Sequence, residues 1–495
     1  MFTASETSII SLIVLATLSI LGWGFYRARR FGKLGILAWL QSVVLMAPWL
    51  LVFGLFAAGI YINLAGVLLL LVASTVVYIF LGNQLRAAGQ DAVLRTRATQ
   101  NTNSSNQETP SLDGMQRVEA LPKPQVVPIP DEDLNVIRGI FGIDTFFATE
   151  TIPYQEGVVF KGNLRGEPNK VYERLSTNLQ ERCSDRYRLF LVENLEEKPV
   201  VIILPSRNDP RPTSWSQNIF AILLLIGTIA TSLETSSILQ GFDFFTAPAR
   251  YQQALPIALG ILAVLAAHEI GHRIAAQRYQ VRLSPPFFLP TLQIGAFGAI
   301  TRFQSLLPNR NVLFDIAIAG PAAGGILSLL MLLAGLILSH PGSMYQVPSQ
   351  FFQGSILVGT LAKIVLGSAV HQPIVDVHPL TVIGWLGLVI TALNLMPAGQ
   401  LDGGRIVQAI YGRKTAGRTT LATLIVLGIA SLANPLALYW AVVILFLQRD
   451  LERPSLNELT EPDDARAALG LLALFLMIAT LLPLTPALAG RLGIG

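Results

Sequence analysis

The sequence predicts a polytopic α-helical membrane protein with a small α+β soluble domain inserted ahead of its core, and three observations predict it. Of its 495 residues, 52% are hydrophobic and only 13% charged, with a mean hydropathy of +0.54, more apolar surface than a soluble chain of this size can bury. The apolar residues gather into runs long enough to cross a bilayer. One run, beginning near Ala254, carries Ala-Ala-His268-Glu269-Ile-Gly-His272 close to its end, where ionisable side chains are costly and mark function.

Three runs open the chain, residues 8–26, 35–59 and 62–82, and form a front membrane module over residues 1–84. Arg27, Arg29, Arg30 and Lys33 follow the first run instead of preceding it, which predicts a retained anchor with its N-terminus outside, not a cleaved signal. No Arg-rich, Ser-rich organelle leader is readable before it. Residues 85–130 are polar and poor in aromatics, as a flexible linker is. Residues 131–207 read as the soluble α+β domain. Helices are expected at Asp131–Ile140 and Asn169–Arg182, and strands at Glu156–Phe160, Tyr187–Glu193 and Pro199–Leu204.

Spans resume at 217–238, 254–276, 312–339, 380–397, 419–447 and 466–484, giving a core over 217–405 and C-terminal spans over 406–495. Residues 355–370 are apolar but short and contain Lys363, a candidate re-entrant segment. Asn434-Pro435 makes 419–447 either one kinked span or a hairpin of two short ones. Basic residues after residue 26, after residue 85, at Arg273, Arg278 and Arg282, and at Arg405, Arg413, Lys414 and Arg418 can share the cytoplasmic side. The soluble domain then faces that side and the His/Glu helix runs toward it. With a net charge of +4 and basic residues beside apolar runs, nucleic-acid binding has no support. A single cysteine, Cys183, excludes an intrachain disulfide framework and a Cys-based metal site.

On a helix His268 and His272 share a face, so both imidazoles can bind one zinc ion, and Glu269 can serve as the base for an attacking water. A third protein ligand is required. Asp402, in Asn394-Leu-Met-Pro-Ala-Gly-Gln-Leu-Asp-Gly-Gly404, follows a span running back to the same depth and is the candidate. Pro397 and Gly399 break the helix there, so the aspartate is expected on an irregular segment that Gly403 and Gly404 let approach closely. This set, one zinc per chain on His268, His272 and Asp402, predicts hydrolysis of a peptide bond in or near the membrane. The alternatives are a hydrogen-bonded polar cluster, an inactive membrane scaffold and a secondary transporter; the last predicts inverted repeats, and none is found.

The His-Glu-Ile-Gly-His and Asn-x-x-Pro-x-x-x-x-Asp-Gly motifs, in this order on core spans, resemble the site-2 protease family of intramembrane zinc metalloproteases. Gly295-Ala-Phe-Gly-Ala-Ile-Thr-Arg302 and Asp315-x-x-x-x-Gly320-Pro321-x-x-Gly324 add to the resemblance. Gly162-Asn-Leu-Arg-Gly166 and His378-Pro379 resemble the EGY-type members of cyanobacteria and chloroplasts. The resemblance implies a site-2-protease-like core, membrane-anchored protein substrates, regulated intramembrane proteolysis, and residence in a cyanobacterial plasma or thylakoid membrane or a chloroplast membrane. It also suggests Asn394 as an oxyanion donor, against a plain interhelical hydrogen bond. Phe287 to Phe303 reads either as a membrane-dipping strand whose edge pairs with substrate or as a covering loop. Asp315 is expected to cap the next span, and Asn163 and Arg165 to form a basic turn.

Overall fold

A computed structural model describes residues 22–30, 32–57, scattered positions from 70 to 84, and 129–494 apart from Gln155, Leu195, Ala433 and Gly493. Most of the expected spans 8–26 and 62–82 and of the linker 85–130 lies outside the described residues. The chain forms two compact units, Met1–Leu121 and Pro122–Gly495. In the first, helix α1 (Gly32–Ala57) occupies the second expected span.

The second unit begins with the α+β domain. Helix α2 (Asp131–Arg138), strands β1 (Phe146–Tyr154) and β2 (Gly157–Leu164), helix α3 (Pro168–Cys183), and strands β3 (Tyr187–Glu193) and β4 (Pro199–Pro205) follow in order. The strands form one antiparallel sheet, β1-β2-β4-β3. Helix α3 buries Val171, Leu175, Leu179 and Cys183, a strict i, i+4 stripe, against Phe146, Phe160, Leu191, Val201 and Ile203 of the sheet. Strand β1 was not foreseen: Pro153 and a register shift between Ala148 and Glu150 blur its alternation, and an edge strand tolerates both. Gly162 and Asn163 lie in β2 and do not form a turn. A Cβ on Gly162 would stand 2.1 Å from the Phe147 carbonyl oxygen, so glycine lets the two strands close at the irregularity.

The core follows with α4 (Trp215–Ile238), α5 (Tyr251–Arg278), the hairpin β5 (Phe287–Thr291) and β6 (Gly295–Ile300), and α6 (Arg310–Leu338). Next come the hairpin β7 (Tyr345–Pro348) and β8 (Ile374–Val377), enclosing the short helix α7 (Ile356–Leu366), then α8 (Pro379–Asn394), α9 (Asp402–Ala430), α10 (Pro435–Val443) and α11 (Asp464–Leu481). Among the described residues four helices are long and apolar enough to cross a membrane: Trp215–Ile238, Pro248–Arg278, Arg310–Leu338 and Asp464–Leu481. Helix α8 has 16 residues, about 24 Å against a hydrocarbon thickness of about 30 Å, so the expected span 380–397 is cut short and its turn stays inside the protein. Residues 419–447 resolve toward the hairpin alternative, with α9 and α10 on either side of Asn434-Pro435. Helix α9 runs through the expected boundary between residues 405 and 406.

The α+β domain is stitched to the core by residues 456–458. Leu191 N donates to Leu456 O at 2.8 Å and Glu458 N to Leu191 O at 2.9 Å, while Leu456 N donates to Leu307 O at 2.8 Å and Asn457 N to Pro308 O at 3.0 Å. The strap covers the β3 edge, which would otherwise be an open template for pairing.

Candidate metal centre

Helix α5 carries the two histidines one turn apart, and α6 supplies their backing. The imidazole of His272 contacts the Ile316 carbonyl through Nδ1 at 2.7 Å. A carbonyl only accepts, so Nδ1 bears the hydrogen and Nε2 of the neutral ring presents a lone pair. A Cβ on Gly320 would lie 2.2 Å from His272 Nε2, and one on Gly271 would lie 2.4 Å from the Ala319 carbonyl oxygen. Gly320 is therefore a socket: with no Cβ it clears room for the ring, which the Ile316 carbonyl holds from Nδ1.

The carboxylate comes from the other side. The chain leaves α8 at Asn394, turns through residues 395–401, and re-enters a helix at Asp402. Asp402 is thus the first residue of α9 and not part of the irregular segment expected, with its charge at the positive end of a helix dipole. Three glycines close the turn. A Cβ would fall 1.6 Å from the Gln448 carbonyl oxygen on Gly399 (φ +47°), 1.9 Å from the Leu395 carbonyl oxygen on Gly403, and 2.3 Å from the Gly399 carbonyl oxygen on Gly404.

These supports bring the three groups together. His268 Nε2 stands 3.0 Å from Asp402 Oδ2 and 3.1 Å from His272 Nε2, and His272 Nε2 stands 3.4 Å from Asp402 Oδ1. Bonds of about 2.0–2.1 Å in a tetrahedron set neighbouring donors roughly 3.3 Å apart, so the spacing fits one zinc ion. Their side chains are 11%, 6% and 8% exposed for His268, His272 and Asp402. Converging lone pairs and a buried carboxylate call for a cation between them.

Glu269 is held beside this group. The Thr301 hydroxyl lies 3.1 and 3.0 Å from its two carboxylate oxygens, and Arg273 Nη2 is 3.3 Å from Oε1. Hairpin β5–β6 brings Thr301 there, ending one residue before it. Gly298, Ala299, His268, Glu269, Thr391 and Asn394 border a cavity of about 10 Å³, close to the volume one water needs. Asn394 donates through Nδ2 to Phe297 O at 3.0 Å and to Ile390 O at 2.8 Å, which engages its amide hydrogens in backbone contacts.

Three contributors were not foreseen. Thr301 sits within the Gly295–Arg302 run, whose resemblance was visible without any role for the threonine. Arg405, counted only as a topological charge, donates to Glu452 Oε2 from Nε at 3.1 Å and from Nη2 at 3.0 Å, and from Nη2 to Thr301 O at 2.8 Å. Glu452 had no signal, because nothing local in the sequence points it at Arg405. Asp315 does not cap α6: Asn309 does, accepting from Val312 N at 3.1 Å. Asp315 instead pairs with Arg466 at 2.7 and 2.8 Å and accepts from the Tyr279 hydroxyl at 2.5 Å. His378 caps α8, accepting from Leu380 N at 3.2 Å.

Comparison with known proteins agrees with this geometry. Residues 256–433 match the model described as peptidase family M50, and residues 135–210 that of the EGY3 middle domain. "Probable zinc metalloprotease EGY1, chloroplastic" of Arabidopsis thaliana is 38% identical, over 73% of this chain and 73% of the relative. "Probable zinc metalloprotease EGY2, chloroplastic" of the same plant is 40% identical, over 73% and 67%, and "Probable zinc metallopeptidase EGY3, chloroplastic" is 33% identical, over 71% and 65%. No solved structure matches the chain. The chain belongs to the M50, site-2-type family of intramembrane zinc metalloproteases, in its EGY group.

Proposed function

We propose that His268, His272 and Asp402 are the zinc ligands of this protease and Glu269 its general base. The observation that carries this is the convergence of the three donors at 3.0–3.4 Å from two helices, with His268 and Asp402 134 positions apart in sequence. Bound zinc supplies Lewis-acid chemistry, polarising a carbonyl and making water acidic at neutral pH. Glu269, oriented by Thr301 and Arg273, accepts a proton from the attacking water and returns it to the leaving amine nitrogen. His272 is fixed by Ile316, so the site is organised before substrate arrives. Asn394 is assigned to the same machinery. It anchors the hairpin through Phe297, and an oxyanion role asks it to release one of its two backbone carbonyls.

A substrate span must present extended backbone to this site. Hairpin β5–β6 lines the cavity with Gly298 and Ala299 and is the element suited to receive it, in place of the single strand expected. We further assign the chain to regulated intramembrane proteolysis of anchored proteins, in a plasma, thylakoid or chloroplast membrane. The chloroplastic names of its relatives support the photosynthetic setting. We read residues 131–207 as the domain beside which soluble flanks of substrates pass, and 217–405 as the catalytic core.

The test is zinc content and cleavage of a reconstituted single-span reporter by wild type and Glu269→Gln. The variant is expected to keep its metal and lose cleavage; equal cleavage by both removes Glu269 from the role of base.

A further inference from the structure

Between the segment that leaves the α+β domain, at Pro210 and Arg211, and the core, a cleft of about 220 Å³ opens. Its inner wall is built from the two stretches that end in site residues: Phe303 and Arg302 directly follow Thr301, and Gln400 precedes Asp402 by two positions. Arg211, Arg302 and Arg453 also line this cleft, all three exposed. Among the described residues none of the three has a carboxylate within ion-pair distance. The Arg453 guanidinium donates to the Asn208 carbonyl at 3.1 Å, while its backbone N–H donates to Glu452 Oε1 at 3.2 Å, and Arg302 lies over the Phe287 ring at 5.4 Å. The acid in the lining, Glu452, is already committed to Arg405.

A neighbouring cleft of about 920 Å³ shares Arg211, Leu306 and Arg453 and continues over the open face of the sheet at Phe190, Val192 and Ile202. The two further arginines there are neutralised: Arg207 pairs with Glu156 at 3.1 Å and Arg188 with Asp209 at 2.9 Å. Uncompensated positive charge is thus concentrated in the cleft beside the segments that carry Thr301 and Asp402, and apolar surface lies beyond it.

We infer that this cleft binds an acidic polypeptide stretch flanking the substrate's membrane span on the side of the α+β domain. The inference rests on the proteolytic reading above and adds a recognition element to it. Three unpaired guanidiniums favour carboxylates, which they can meet with paired hydrogen bonds. The cleft's continuity with the one over the α+β sheet sets it on the path of a polypeptide, not on a helix face open to lipid.

The test reads binding on the full-length Glu269→Gln chain in nanodiscs of phosphatidylcholine. Two fluorescent single-span reporters carry either four glutamates or four glutamines just beyond the span on the domain side. The glutamate reporter is expected to bind about ten-fold more tightly at low salt, with the preference shrinking as salt rises. Arg211→Glu combined with Arg453→Glu should abolish the preference, whereas Arg211→Lys with Arg453→Lys should keep most of it. Equal binding of the two reporters, no binding of either, or a preference that survives charge reversal overturns the inference. So does a dependence on added phosphatidylglycerol alone, which would assign the arginines to lipid headgroups. Wild-type cleavage of the glutamine reporter, scored separately, reports on the proteolytic reading itself.

Discussion

The two halves of the metal centre are built by different means. The histidine half is one uninterrupted helix, α5, whose periodicity alone sets His268 and His272 on one face, with Gly320 of α6 clearing the space behind. The aspartate half is a turn of seven residues between two helices, held by contacts to distant segments. Gly399 N donates to Thr420 Oγ1 at 2.8 Å, and Gln400 N to Gln448 O at 2.9 Å. Arg405, one turn past Asp402, is bound to Glu452. A helix supplies spacing by itself; a turn supplies it only when its surroundings fix it. The histidine half should therefore respond to changes at the ring and its socket, the aspartate half to changes far from the metal.

The largest effect tests both halves at once. His268→Ala and Asp402→Ala should each lose zinc and lower reporter cleavage by about 10⁴-fold or more, as measured by metal analysis and initial rates. If either keeps full activity, that half does not hold the metal. The next effect belongs to the aspartate half. Arg405→Met leaves the Glu452 carboxylate buried without its partner, and breaking such a pair costs about 3–5 kcal/mol. The thermal midpoint should drop sharply, and Arg405→Met with Glu452→Leu should recover much of the loss. No difference between single and double variants would show that the pair does not brace the turn.

The histidine half is probed by Gly320→Ala, whose methyl group would displace the His272 ring. Zinc affinity should fall about 10- to 100-fold, as when a metal-bound imidazole loses its support, with far less effect on the thermal midpoint than Arg405→Met. Unchanged affinity in a chelator titration would remove the socket from the account. Thr301→Ala is smaller again: turnover should fall roughly ten-fold with zinc retained, and Thr301→Ser should restore most of it. A loss of zinc instead would make Thr301 a support of the metal, not of the base.

The smallest effect lies in the α+β domain. There the Tyr187 hydroxyl, donating at 2.7 Å, and Arg186 hold the Asp133 carboxyl below its usual range, while burial and Asp133 push the Tyr187 hydroxyl up to about 12. A depressed carboxyl stabilises the fold above its unfolded value of about 3.9 and loses that contribution as pH falls. Asp133→Asn should cost about 1 kcal/mol at neutral pH, with the gap to wild type closing in acid unfolding curves. A gap that widens toward low pH contradicts this sign.

The same division decided how much was legible in the sequence. The histidines, Glu269, the four long spans and the α3 stripe could be read directly, because helical periodicity is local. Asp402 was reachable only because Pro397 and three glycines mark a turn on a neighbouring span, and even so its place at the start of a helix was missed. Thr301, Arg405 and Glu452 were not assigned roles, since their partners are 32, 104 and 47 positions away and no pattern within a window links them. Strand β1 was hidden by its own proline and irregular register. Asp315 looked like a cap from its place near a span's start, but Asn309, six positions earlier, does that work.

The central claim is that Asp402 reaches around to the same ion as the two histidines. Extended X-ray absorption at the zinc edge of Asp402→Cys tests it most directly, because Cys183, buried in the α+β domain, is the only cysteine of the native chain. Wild type should show nitrogen and oxygen neighbours alone, and the variant one added sulfur at about 2.3 Å. Zinc retained in the variant with an unchanged spectrum and no sulfur would contradict the account.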